Sequence, residues 1–331
     1  MIKKVLIIGG EGYIGQVVCP YLVDKGFNVT TYDDLIYGHK NNKPDLQKNY
    51  NFIQGNLNDT KIINELISNF DAVLILAGLV GDPITKKYPE IANKTNYYGI
   101  KNIIDQCIVA KIKKVIFIST CSNYGLISEN ELADENFELN PLSNYAQDKV
   151  KIENYIKALK NKTESCITTL RFATAFGLSP RMRFDLTINE FVLELIKGNK
   201  LQVYDAETWR PYCHVVDFSR IINKILISDI DKIYFQTFNA GSNKNNFTKK
   251  MIVNEILKII KNNEIEYIEQ PGADARNYRV DFSKLESTLD IKCEYSVLDG
   301  IKEIVEAVKG ETKYLKLDKL NFGNYNITNE N

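Results

Sequence analysis

The sequence predicts a doubly wound α/β protein: a parallel sheet with helices on both faces and a smaller C-terminal α/β cap. Three observations carry this. Short runs rich in β-branched residues alternate with helix-length amphipathic stretches through the first half of the 331 residues. Several of those runs are apolar at every position, as expected of strands covered on both faces. A glycine-rich turn, Gly9-Gly10-Glu11-Gly12-Tyr13-Ile14-Gly15, follows the first run and opens the first helical stretch.

Taken in order, strands are expected over Lys4–Ile8, Asn28–Tyr32, Phe52–Gln54, Ala72–Ala77, Val115–Ser119 and Ile167–Phe172. Helical periodicity covers Gly12–Lys25, Thr60–Ser68, Glu90–Ala110 and Asn144–Lys160 between them. After Gly177 the alternation breaks. Ser179–Asp185 reads as loop, Leu186–Gly198 as helix, and Phe238–Gly241 as a last sheet strand with its turn.

The glycine turn has a chemical reading. Gly9 permits the tight turn, Gly12 lets the backbone approach a pyrophosphate, and Gly15 lets the helix pack on the strand. Its place between an apolar strand and a helix makes it a dinucleotide (Rossmann) turn rather than a structural one. Asp33, at the end of the second strand, stands where a carboxylate binds the adenosine ribose hydroxyls and repels a 2′-phosphate. Asp34 follows it. NAD is therefore expected over NADP, although Lys40 and Lys43 lie downstream. The domain expectation is residues 1–177, with 214–241 returning, for the cofactor. Residues 178–213 and 242–312 form the cap, and 313–331 a polar, loosely held tail.

Composition narrows the function. Lys+Arg and Asp+Glu balance at 42 each, which argues against non-specific nucleic-acid binding. Cys19, Cys107, Cys121, Cys166, Cys213 and Cys293 form no metal-binding spacing, and His39 and His214 are the only histidines, so no metal is expected. The scattered thiols fit a reducing cytoplasm. The start resembles a signal peptide but is broken by glycines without a cleavage site. The apolar run Ala72–Gly81 falls well short of the ~18 residues a membrane span needs. A soluble cytoplasmic protein without a membrane partner is expected.

Tyr145 and Lys149 share one face of a predicted helix at spacing i, i+4. A neighbouring ammonium stabilises a phenolate, so Tyr145 is a candidate general base. With 19 tyrosines in the chain, the pair alone is a weak signal. Thr120 strengthens it, because a hydroxyl at the C-terminal end of a strand faces the crevice in which such sheets bind ligands.

Together the glycine turn, Asp33, Leu76-Ala77-Gly78, Thr120 and Tyr145–Lys149 resemble the extended short-chain dehydrogenase/reductase family, in its sugar-nucleotide epimerase/dehydratase branch. The resemblance implies an NAD-dependent oxidoreductase acting on a GDP- or UDP-linked sugar at C4. By it, Thr120 holds the substrate hydroxyl, Tyr145 is the acid/base, and Lys149 also contacts the nicotinamide ribose. Tyr13, Ile14, Leu76, Ala77, Gly78, Thr95 and Ala173 line the cofactor, and Asn56 and Leu57 flank the adenine. Arg210, in Trp209-Arg210-Pro211-Tyr212, matches a diphosphate-binding arginine. Ser122, Thr174, Tyr278 and either Arg276 or Arg279 complete the substrate set, Arg181 and Arg183 are either further substrate contacts or only salt-bridge partners, and His214 packs rather than catalyses.

The 4,6-dehydratases place Asp-Glu where this chain has Cys121-Ser122, so dehydration is not expected. Dehydrogenation and epimerisation remain. The Ser179–Asp185 and Trp209–Tyr212 segments resemble a bacterial surface-polysaccharide subgroup that includes GDP-heptose 4-dehydrogenases, which puts dehydrogenation first. The family also implies a homodimer or larger homo-oligomer through the 93–110 and 144–160 segments.

Overall fold

The computed structural model describes residues 2–37, 48–128, 130–261, 264–270, 276–311 and 322–327. His39, Lys40, Lys43 and Pro271–Ala275 lie outside them.

Seven strands make one parallel sheet. These are β1 (Lys4–Ile8), β2 (Asn28–Asp33), β3 (Tyr50–Gln54), β4 (Ala72–Ile75), β5 (Lys114–Thr120), β6 (Cys166–Phe172) and an edge strand near residue 240. Between them in sequence, β7 (Thr174–Phe176), β8 (Leu201–Tyr204) and β9 (Trp209–His214) lie outside the sheet, and β10 (Thr237–Ala240) is its edge. The spatial order is β10-β6-β5-β4-β1-β2-β3. It reverses direction between β1 and β4, which opens a crevice beyond their carboxyl ends. Two small sheets lie apart from the main one: β11 (Asn246–Thr248), β9 and β7 in that order, and β12 (Ile265–Ile268) with β8.

The helices are α1 (Gly15–Asp24), α2 (Thr60–Ile67), α3 (Asp82–Lys87), α4 (Pro89–Asn93), α5 (Ile100–Val109) and α6 (Asn144–Leu159). After these come α7 (Thr187–Ile196), α8 (Val215–Ile227), α9 (Ile230–Ile233), α10 (Lys249–Leu257), α11 (Ser283–Leu289) and α12 (Val297–Gly310). Strand alternation sorts them onto two faces. Val5 and Ile7 of β1 pack with Val18 and Leu22 of α1 and Ile221 and Ile225 of α8. Leu6 and Ile8 pack on the other face with Ile63 of α2, Ile103 of α5 and Ile152 of α6. A separate core joins Met182, Phe184, Phe191 of α7, Ile252 of α10 and Ile304 of α12.

Three local expectations need correction. The strand expected over Ala72–Ala77 stops at Ile75, because the Leu76 and Ala77 amides both donate to the Ile8 carbonyl and Gly78 turns away at φ 153°. The single helix expected over Glu90–Ala110 is α4 and α5 joined by a π-helical turn, Lys94–Gly99, preceded by the unexpected α3. Such wide turns cluster at functional sites, and this one carries the buried Thr95. Within the expected loose tail, Phe322–Ile327 return to the body: the Phe184 amide donates to the Phe322 carbonyl (2.7 Å) and Asn324 Nδ2 to the Val80 carbonyl (3.3 Å).

His214 packs, as expected. Its ring stacks on Tyr295 at 4.3 Å, and Nδ1 accepts the Val216 amide, which leaves the ring proton on Nε2 facing Glu303 at 2.8 Å. No helix among the described residues is long and apolar enough to cross a membrane.

Candidate active site

A cavity of about 600 Å³ occupies the crevice beyond β1, β4 and β5. The glycine turn forms its floor. A Cβ on Gly9 (φ 81°) would lie 2.5 Å from the Ala77 backbone, and one on Gly15 would lie 2.4 Å from the Gly10 carbonyl. Gly12 differs: a Cβ there meets nothing closer than the Gly9 carbonyl, at 3.6 Å, and would instead intrude into the space the turn encloses. That is the space a diphosphate needs at a helix N-terminus, so the residues present fit a dinucleotide.

Glu11, passed over in the sequence, fastens this turn. Its buried carboxylate accepts Thr31 Oγ1, Tyr50 OH (2.7 Å) and Gln16 Nε2 (2.8 Å), tying the turn to β2, β3 and α1. Its backbone amide donates to Asp33 Oδ2, while the Leu35 amide donates to Oδ1, both at 2.9 Å. These bonds aim the Asp33 carboxylate along the cavity wall. Burial pushes its pKa up to about 6, against the two amides, and the nearby Asp34 and Glu11 charges add to the rise.

Gly55 and Leu57 line the same end of the cavity, but the Asn56 side chain does not. It is spent on Asp34 (3.3 Å) and on the Asn58 amide (2.8 Å). Tyr13, Ile14, Asp34, Leu76, Ala77, Gly78, Thr95 and Ala173 all reach the wall.

Tyr145, Lys149 and Thr120, the last residue of β5, also line the cavity. The Ser143 side chain accepts the Ala146 amide and caps α6, which starts the helix one residue before Tyr145. One turn on, Lys149 Nζ donates to the Ile118 carbonyl at 2.7 Å and lies 5.7 Å from the centre of the Tyr145 ring. Thr120 Oγ1 accepts the Ser122 amide (3.1 Å), which leaves its O–H to donate into the cavity. Cys121 points the other way, with its thiol on the Arg171 carbonyl and its pKa raised by burial.

Burial also lowers the Lys149 pKa to about 7, against the pull of Glu153 and Asp148. The folded protein therefore holds fewer protons here than the unfolded chain between about pH 7 and the ordinary lysine range. The cost of burying the charge is full below that window and fades as pH rises through it. Lys149→Met should thus stabilise the fold by roughly 1–3 kcal/mol near neutral pH, with a smaller gain at alkaline pH. Urea midpoints at the two pH values check this; a loss of stability at both would refute it.

On the cap side, the Arg210 guanidinium lies 5.2 Å from the centre of the Tyr278 ring and donates to the Trp209 and Arg276 carbonyls. Tyr278 OH and Ser122 Oγ share a hydrogen bond of 3.1 Å. Arg210, Arg276, Tyr278, Ser122 and Thr174 line the cavity. Arg279 does not; it stacks on Trp209 at 5.2 Å. Of the two arginines left open by sequence, Arg276 is the one at the site.

Residues 5–241 match the model of the NAD dependent epimerase/dehydratase family. The chain belongs to that family. It is an enzyme and its cofactor is NAD. A putative UDP-glucose 4-epimerase of Methanocaldococcus jannaschii is 27% identical over 321 residues, covering 93% of this chain and 99% of the relative. The low-salt glycan biosynthesis protein Agl12 of Haloferax volcanii is 26% identical over 317 residues, again 93% and 99%. Among solved structures, the UDP-glucose 4-epimerase of Thermotoga maritima with UDP-glucose has a TM-score of 0.82 at 23% identity, covering 93% of this chain and 99% of that one. The Thermus thermophilus UDP-glucose 4-epimerase with NAD has 0.79 at 21%, covering 92% and 100%. These two show the shared fold.

Arg183, one of the two arginines left open by sequence in the Ser179–Asp185 loop, lines the cavity while paired with Asp185. The sequence does not single out Tyr37, Asp185, Asn324 and Tyr325, which line it too. Two come from the supposed tail. Their only sequence signal is aromatic and Asn content, which is equally common on surfaces.

Proposed function

We propose that this enzyme oxidises the C4 hydroxyl of a nucleotide-diphosphate sugar, with Tyr145 as the base. The observation that carries the proposal is that Tyr145, Lys149 and Thr120 line the same cavity as the glycine turn and Asp33. Bound NAD supplies the hydride acceptor. Thr120 donates to the reacting hydroxyl and orients it, and Tyr145 takes its proton. Lys149, anchored on Ile118 beside the ring, favours the phenolate while it is protonated, an assistance that declines as the pH rises through about 7. Arg210 and Arg276 offer guanidinium groups to the substrate diphosphate.

Dehydration lacks its acid, because Cys121 is turned into the core and Ser122 is shared with Tyr278. Returning the hydride to the opposite face of C4, as in an epimerase acting on a UDP-sugar, is the reading supported by the UDP-glucose 4-epimerase relatives. Release of the ketone, as in a GDP-heptose 4-dehydrogenase, is supported by the resemblance of the Ser179–Asp185 segment. Incubation with UDP-glucose, UDP-N-acetylglucosamine and a GDP-heptose separates them. NMR reads inversion at C4, and a mass two hydrogens lighter reads the ketone. A panel showing neither product would overturn the proposal.

In the same reading, Asp33 accepts the ribose hydroxyls as a carboxylate. Its raised pKa then predicts that NAD affinity falls as the pH drops below about 6, approaching ~10-fold per pH unit. Asp33→Asn should flatten that profile and narrow the preference over NADP. Calorimetric titrations across pH test it; a parent profile without this fall would remove the role.

A further inference from the structure

The loop after β7 crosses the glycine turn. Ser179 Oγ donates to the Tyr13 carbonyl and Tyr13 OH to the Gly177 carbonyl, both at 2.7 Å, and Asn189 Nδ2 donates to Tyr13 OH at 3.1 Å. This stitching holds two arginines over the cavity, and they are not equivalent. Arg183 places Nε and Nη2 on the two oxygens of Asp185 and is neutralised. Arg181, only 5% exposed, has no carboxylate paired with it among the described residues.

The Arg181 guanidinium lies 4.7 Å from the centre of the Tyr37 ring, and Nη2 donates to Asn324 Oδ1 at 2.8 Å. A guanidinium has five N–H donors, so this anchor leaves most of them for the cavity. Burial and the adjacent Arg183 charge lower its pKa to about 10, the response of a cation that lacks a counter-ion. The loop that bears Arg181 is bonded to Tyr13 of the glycine turn, and Tyr37 lies four residues beyond Asp33, whereas Arg210 meets the Arg276 carbonyl and the Tyr278 ring. Arg181 thus belongs to the end of the cavity bounded by the glycine turn and Asp33, not to the cap end.

We propose that Arg181 is a cofactor-binding residue, its guanidinium contacting the diphosphate of the dinucleotide from the loop that crosses the glycine turn. From sequence alone, Arg181 is either a substrate contact or a salt-bridge partner. Two phosphates carry charge that the amides at the start of α1 offset only in part, and a planar fork held by Tyr37 and Asn324 needs little reorganisation to meet them. Tyr37 and Asn324 are positioning residues in this account. The claim concerns the dinucleotide alone, so it stands or falls separately from oxidation at C4.

The test is Arg181→Met in the full chain freed of nucleotide, titrated calorimetrically with NAD, ADP-ribose, adenosine, NADP and UDP. Loss of charge-assisted bonds should weaken NAD and ADP-ribose by ~10-fold or more, with adenosine and UDP unchanged. The nucleotide-free variant should melt at or above the parent, since an uncompensated charge has gone, while its stabilisation by NAD shrinks. Asn324→Ala, which keeps the charge but loosens its anchor, should weaken NAD in the same direction by less. The proposal is overturned if the variant binds NAD and ADP-ribose like the parent. It is equally overturned if the loss falls on UDP, which would make Arg181 a substrate residue, or on NADP alone, which would place it at the 2′-phosphate.

Discussion

Tyr145→Phe should lower turnover by ~10²-fold or more while leaving the protein folded and NAD-bound. The substitution keeps the ring that lies 5.7 Å from Lys149 Nζ and deletes only the hydroxyl. Neither the cap of α6 on Ser143 nor the bond from Lys149 to Ile118 depends on that hydroxyl. Thr120→Val should cost less, ~10-fold, because it removes one hydrogen bond to the substrate and spares the base. Lys149→Ala should impair turnover and move the activity optimum to higher pH, because the phenolate loses its ammonium neighbour. Steady-state rates and pH profiles of the three variants give the order of damage. A Tyr145→Phe enzyme with the parent rate would remove the base from the mechanism.

The largest effect on stability is expected beneath the site. Arg171 of β6 and Glu153 of α6 are each 1% exposed and joined by three contacts of 2.7–3.1 Å. Glu153 Oε1 also accepts Ser119 Oγ (2.6 Å) and Asn123 Nδ2 (2.8 Å), and Arg171 Nη1 donates to Tyr124 OH (2.8 Å). The network locks the helix bearing Tyr145 and Lys149 to the strand that ends at Thr120. Arg171→Met strands a carboxylate in the core, and breaking such a pair from one side costs about 3–5 kcal/mol. Arg171→Met with Glu153→Leu removes both charges and should recover much of that loss. Urea denaturation of the single and double variants measures both; a single-variant loss below ~1 kcal/mol would show that water or relaxation compensates the buried carboxylate.

What could be read from the sequence divides along the range of the interactions. The glycine turn, the continuously apolar run of β1 and the i, i+4 pair of α6 are local patterns, and each lies where its pattern puts it. Asp33 was legible because strand length alone carries it to the crevice. The side-chain directions of Asn56 and Arg279 could not be read, because their partners, Asp34 and Trp209, are met only in three dimensions. Glu11 gave no signal: a charged residue in a turn reads as solvated, and only β2 and β3 together bring it Thr31 and Tyr50. Asn324 and Tyr37 reach the cavity from segments with no periodicity at all.

The central claim is oxidation at C4, and a sugar labelled there tests it most directly. A UDP-hexose carrying deuterium at C4, incubated with the enzyme and NAD, is to be followed by mass spectrometry of the dinucleotide and NMR of the sugar. The account predicts one of two results: deuterium retained on a C4-inverted sugar, or deuterium recovered on the dinucleotide with a 4-keto sugar released. In either case the process should fall by ~10²-fold with Tyr145→Phe. Label remaining on C4 of an uninverted substrate, here and with the GDP-linked sugar, would contradict it.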